Sequence, residues 1–130
     1  MIPRGVRNNN PGNIRHSQVH WEGEALTQPD PDFVQFMDPE HGIRAIVRIL
    51  RSYKRNGLDT IRKAVNRWAP PNENNTDAYV SAVCEKCGVG PDDSVDYDTI
   101  MTILVKAIIQ HENGTQPYGD DIISVGIALA

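Results

Sequence analysis

The 130-residue chain reads as a mainly α domain of about five helices, carrying a small irregular or slightly β lobe at its amino end. Three observations predict this. Before residue 37, Pro3, Gly5, Pro11, Gly12, Gly23, Pro29 and Pro31 break the chain often, and helical periodicity is absent. After it, apolar residues recur at spacings of three and four. Start and stop signals punctuate that second part at the intervals short helices require. The length suits one domain spanning 1–130, divided into a lobe at 1–37 and a helical lobe at 38–130.

The amino-terminal lobe predicts loops and short extended pieces, with one small hairpin over residues 19–26. Asp38-Pro39-Glu40 is a helix start, a capping Asp followed by Pro at the first helical position. That helix runs to Asn56-Gly57, with Ile43, Ile46, Val47 and Leu50 as its core stripe. A second covers 59–68 and ends before Pro70-Pro71. Thr76 is read as the cap of a third, 77–87, closed by Gly88. A fourth spans 96–113 and stops at Asn113-Gly114, where glycine suits a left-handed cap. The fifth, 120–129, carries Ile122, Ile123, Val125, Ile127 and Leu129 and is expected to be mostly buried.

Charge is distributed unevenly. Residues 1–67 hold eleven Lys/Arg against seven Asp/Glu, and residues 68–130 hold two against ten. Arg44, Arg48, Arg51 and Arg55 share one helical face and raise the reading of a nucleic-acid-binding domain. The competing reading, a solvated surface opposite the core stripe, is preferred, and the acidic second half agrees with it. Cys84 and Cys87 form a lone C-x-x-C without further His or Cys nearby, so reduced thiols are expected and neither a metal nor an organic cofactor is implied. No apolar run is long enough to span a membrane, and Met1-Ile2-Pro3-Arg4 lacks the apolar segment of a secretory signal. The expectation is synthesis in the cytoplasm without stable membrane insertion.

The residue that points most directly to chemistry is Glu112. In the segment 97–112 the apolar stripe runs Tyr97, Met101, Leu104, Ile108, and the next position on that face is Glu112. Apolar packing and the negative end of the helix dipole both disfavour an ionised carboxylate, so a raised pKa is expected there. A carboxylic acid kept protonated is what general-acid cleavage of a glycosidic bond needs. The plainer alternative is a solvated glutamate at a helix end.

Two patches carry a family resemblance. Ala107-Ile108-Ile109-Gln110-His111-Glu112-Asn113-Gly114 resembles the helix end bearing the catalytic glutamate of goose-type lysozymes and soluble lytic transglycosylases. Thr76-Asp77-Ala78-Tyr79-Val80-Ser81-Ala82-Val83 is similar to their later Thr-x-x-Tyr-Val-x-x-Val helix, whose tyrosine lies near the acid. Asn10-Pro11-Gly12-Asn13-Ile14-Arg15 with Trp21-Glu22-Gly23, and the stretch from Phe33 to Ile43, resemble parts of peptidoglycan glucosaminidases. In those relatives the glutamate helix comes first, and here it comes last, as in a circular permutation. The resemblance implies an α+β lysozyme-like fold in permuted order, like small phage and prophage virion proteins.

It also implies a muramidase or lytic transglycosylase acting on the β-1,4 linkage of peptidoglycan glycan strands. Glu112 would be the acid and then the base. Tyr79 would bond the carboxyl or the sugar, Asn13 would read an N-acetyl group, Trp21 would stack on a sugar, and Gln116 and Tyr118 would wall the cleft. The first three have structural alternatives: a core tyrosine, a turn asparagine, a packing tryptophan. His111, off the Glu112 face, is expected to be solvated. Glu22 and Glu24 are candidates for a second carboxylate, although solvated loop acids explain them as well. A lytic transglycosylase needs only one acid, because the substrate's N-acetyl group and 6-hydroxyl supply the rest. The protein would reach the cell wall by phage-type delivery or release, with other virion proteins as further partners. The runner-up is a structural or adaptor domain of a phage particle with little activity.

Overall fold

A computed structural model describes residues 1–72 and 74–130. Its elements are α1 (Arg4–Arg7), α2 (Pro39–Arg55), α3 (Ile61–Trp68), α4 (Thr76–Cys87), a 3-10 turn (Tyr97–Ile100), α5 (Met101–Asn113) and α6 (Asp120–Leu129). The mainly α reading holds. None of the helices is long and apolar enough to cross a membrane.

Local chemistry sets most of the boundaries. Asp38 accepts from the His41 amide at 2.9 Å and Pro39 opens α2, as the sequence predicts. Gly88 and Gly114 close α4 and α5 at φ +68° and +72°. The α3 helix begins two residues later than expected, capped by Thr60, which accepts from the Lys63 amide, while Asp59 accepts a hydrogen bond from Ser94. One cap differs from expectation: Asn75, not Thr76, caps α4, because the Thr76 hydroxyl donates to the Ala69 carbonyl at 2.7 Å. The predicted fourth helix begins as the 3-10 turn, where the Tyr97 hydroxyl donates to the Leu58 and Thr60 carbonyls and draws the chain onto the start of α3.

The core lies between α2, α4, α5 and α6. Ile43, Ile46 and Val47 from α2 meet Leu104, Ile108 and Ile109 from α5, with Val83 and Ile123 completing it. Gly126 lets α6 lie directly on α2, since a Cβ there would fall 2.5 Å from the Ile43 side chain. The expectation that α6 is mostly buried is corrected. Only Ile123 and Gly126 are buried, and Val125 and Leu129 are exposed, because α2 and α5 cover one side of it.

The amino-terminal lobe departs further from its prediction. The one-turn α1 is an addition, and no hairpin forms over residues 19–26. Among the described residues there is no named strand, only the antiparallel bridges Arg15 to Phe33 and Glu24 to Phe36. The extended piece at 33–37 is instead the centre of the lobe. Val34 donates to the Ile14 carbonyl, Phe36 to Asn8 and Met37 to Gly23, so three separate loops share one edge. Asparagines supply what a sheet would otherwise provide. The fully buried Asn10 donates to the Ile14 and Val34 carbonyls and accepts from the Ile14 amide.

Candidate functional site

Glu112 sits in the last turn of α5, where the tight run of loop residues 8–13 meets it. Asn9 and Asn13 take φ +54° and +51°, left-handed conformations that asparagine tolerates better than most residues. The turn at Asn13 aims its side chain at the helix end, and Asn13 Nδ2 donates to Glu112 Oε1 at 2.9 Å. One residue on, Asn113 Nδ2 donates to the Pro11 carbonyl at 2.8 Å and ties the same loop to the same helix end. Gly5 completes the junction. A Cβ there would lie 2.5 Å from Asn113 Oδ1 and 2.7 Å from Asn13 Oδ1, so any side chain at this position would push both asparagines away.

Tyr79, from α4, faces the same carboxylate. Its ring is buried and stacked on His111, with centroids 4.0 Å apart. Its hydroxyl is buried with no hydrogen-bond partner of good geometry among the described residues. Burial first, then the charge and proximity of the Glu112 carboxylate, hold the phenol well above its usual range. Tyr79 therefore stays an O–H donor beside an acceptor-bearing acid. The expected solvation of His111 is half met: its ring is exposed but packs on Tyr79.

Glu112 opens onto a cavity of about 250 Å³ lined also by Gly12, Asn13, Arg15, Phe33, Trp68, Ala69 and Asn74. Among the described lining residues Glu112 is the one acid. A second cavity of about 320 Å³ shares Gly12, Asn13, Arg15 and Trp68 with the first and continues past Ile49, Tyr53, Arg67 and Pro70. The two cavities adjoin at the loop over 12–15 and at Trp68, which line both, and together they are read as one cleft.

Asn13, Tyr79 and Glu112 are thus brought together as the sequence predicts. The remaining candidates lie elsewhere. The Trp21 ring is half-buried on the core with its Nε1 enclosed, which favours its packing role. Glu22 lies 3.4 Å from Arg44 and 3.9 Å from His41 at the start of α2, Glu24 lies 3.7 Å from His20 within the lobe, and neither acid lines the cleft. Gln116 bonds the backbone of Tyr118 and lines a groove with Ile103, Lys106 and Gln110. At 100° per residue those α5 positions point away from Glu112. Tyr118 packs on the core. Asn13 Oδ1 is turned inward, so the residue orients Glu112 more than it presents an amide to solvent.

Sequence reasoning missed Trp68 and passed over Arg15 and Phe33. Arg15 and Phe33 lie in segments already singled out by resemblance. Trp68 carried a weaker signal, a tryptophan at the last position of a helix ending before Pro70-Pro71. The arginine stripe is largely engaged within the molecule. Arg44 and Arg48 donate to the carbonyls of Leu129 and Ala130 at the end of α6, and Arg51 pairs with Asp98 at 3.0 Å. Cys84 and Cys87 are free thiols, with burial pushing Cys87 up to about 11.

No protein-family model matches this sequence. The chain is similar to Protein P5 of Pseudoalteromonas phage PM2, with 42% identity over 127 residues, covering 95% of this chain and 79% of that protein. It belongs to the family of that phage protein.

Proposed function

We propose that this member of the Protein P5 family is a peptidoglycan-cleaving glycosidase, a muramidase or lytic transglycosylase, with Glu112 as its acid and base. The observation that carries the reading is the pairing of Asn13 with Glu112 at the mouth of an elongated cleft, with Tyr79 held behind as a phenol. The order of the chain motifs, with the glutamate helix last, supports reading the fold as a permuted lysozyme-like α+β arrangement. The relation to a phage protein agrees with a need to breach a cell wall.

In this mechanism Glu112 gives its proton to the leaving glycosidic oxygen as the C1–O bond breaks. The substrate's N-acetyl group shares the positive charge that develops at C1. The Glu112 carboxylate then takes a proton from water, or from the sugar's 6-hydroxyl, as that oxygen bonds to C1. Asn13 holds one carboxylate oxygen in place throughout, and Tyr79 donates to the carboxylate once its proton has left. The presence of one acid among the described cleft residues supports the transglycosylase branch.

The test is digestion of purified peptidoglycan by wild type and by Glu112→Gln, with products resolved by mass. Release by wild type, lost by at least a hundredfold in Glu112→Gln, is expected, with anhydro ends marking transglycosylation. Equal release by both proteins removes Glu112 as the acid. No release by folded wild type assigns the fold to a structural role in a particle.

A further inference from the structure

The segment of the cleft beyond Trp68 has a different character from the segment at Glu112. Trp68, at the end of α3, meets Tyr53 edge-on with ring centroids 6.4 Å apart, and both line it. Gly12 keeps this wall close: a Cβ there would lie 2.9 Å from Trp68 Cζ2 and 2.8 Å from Ile46. An aromatic wall of this kind suits the apolar face of a sugar ring. Arg67 lines the same segment, is exposed, and forms no ion pair or hydrogen bond among the described residues. Its charge reaches the Tyr53 hydroxyl, where it opposes the effect of burial. Arg44, Arg51 and Arg62 are by contrast paired with Glu22, Asp98 and Asp92.

Resting on the glycosidase reading, we infer that this second segment selects the acidic, peptide-bearing sugar of a glycan strand: Trp68 and Tyr53 flank the ring, and Arg67 pairs with a carboxylate of the peptide stem. Guanidinium presents a planar fork of donors that matches the two oxygens of a carboxylate. The segment is continuous with the Glu112 cavity through four shared lining residues, so one strand can occupy both.

The experiment measures binding by calorimetry in the Glu112→Gln background, which prevents turnover. Two ligands of equal sugar count are compared: a glycan oligomer carrying stem peptides with free carboxylates, and a neutral N-acetylglucosamine oligomer. The parent is expected to prefer the acidic ligand, and Arg67→Gln to lower that preference roughly three- to fivefold, as added salt also does. Trp68→Phe, which keeps an aromatic ring against Tyr53, is expected to weaken both ligands. Equal affinity of the parent for both ligands, or a preference unchanged in Arg67→Gln, overturns the inference while leaving Glu112 as the acid. Failure of the folded parent to bind either ligand overturns the glycosidase reading as well.

Discussion

The two lobes are held together by different forces. In the helical lobe, Ile43, Ile46, Val47, Leu104, Ile109 and Ile123 are essentially fully buried, and apolar burial does the work. In the amino-terminal lobe the ordering comes from directed polar contacts: Asn10 to two carbonyls, and Arg4 to Asp30 and Asp32. The lobe contributes Phe36 and Val34 to the shared core, but its loops take their shape from amides and ion pairs. The candidate site lies on the seam, with its acid from the apolar side and its orienting amide from the polar side.

Substitutions can test whether the lobes differ as described. The largest expected effect is in the core. Leu104→Ala should cost about 3 kcal/mol, within the range for buried leucines, read as a lower denaturation midpoint with an unchanged slope in urea. Asn10→Ala should cost about 2 kcal/mol by leaving buried backbone groups unpaired. Its signature should be faster hydrogen exchange at Val34 and Ile14, with α5 still protected. Tyr79→Phe should change stability by less than about 1 kcal/mol, since the hydroxyl it removes lacks a well-formed hydrogen bond. Its turnover on peptidoglycan should fall roughly tenfold, from the lost donor to Glu112. Equal losses in stability and activity there would make Tyr79 a packing residue.

The smallest effect concerns acid. The Arg4 guanidinium holds the Asp30 carboxyl well below the usual carboxylate range, with Asn8 adding a second hydrogen bond. A folded-state pKa below the unfolded value means stabilisation that is present above about pH 4 and fades as the pH falls further. Melting curves from pH 6 to pH 2.5 should show this loss in wild type and a flatter profile in Arg4→Gln. Parallel profiles would show that the pair does not order the lobe.

What could be read from the sequence follows the same division. The limits of α2 and the end of α5 were legible because Asp38-Pro39 and Gly114 act within one turn of themselves. The nearness of Tyr79 to Glu112 was legible through motif resemblance alone, whereas the bond from Asn13 to Glu112 was not. The lobe was not, because Asn10 acts on Val34 across 24 positions and Phe36 bonds Asn8 across the same lobe. No local pattern records such bonds. The hairpin expected over 19–26 fails for the same reason: Ala25 pairs with Gln35, and Val19 and Leu26 are left exposed. Trp68 outranks Trp21 in the cleft only because Gly12 lets the loop press against it.

The bond from Asn13 to Glu112 also orders events in time. Ninety-nine positions separate the two residues. A ribosome that has made the first hundred residues has displayed the loop but not yet the acid it steadies. Closing so wide a loop costs more entropy than closing a helical turn. The carboxylate therefore gains its brace only after almost the whole of this segment has been translated, and an interrupted nascent chain lacks it.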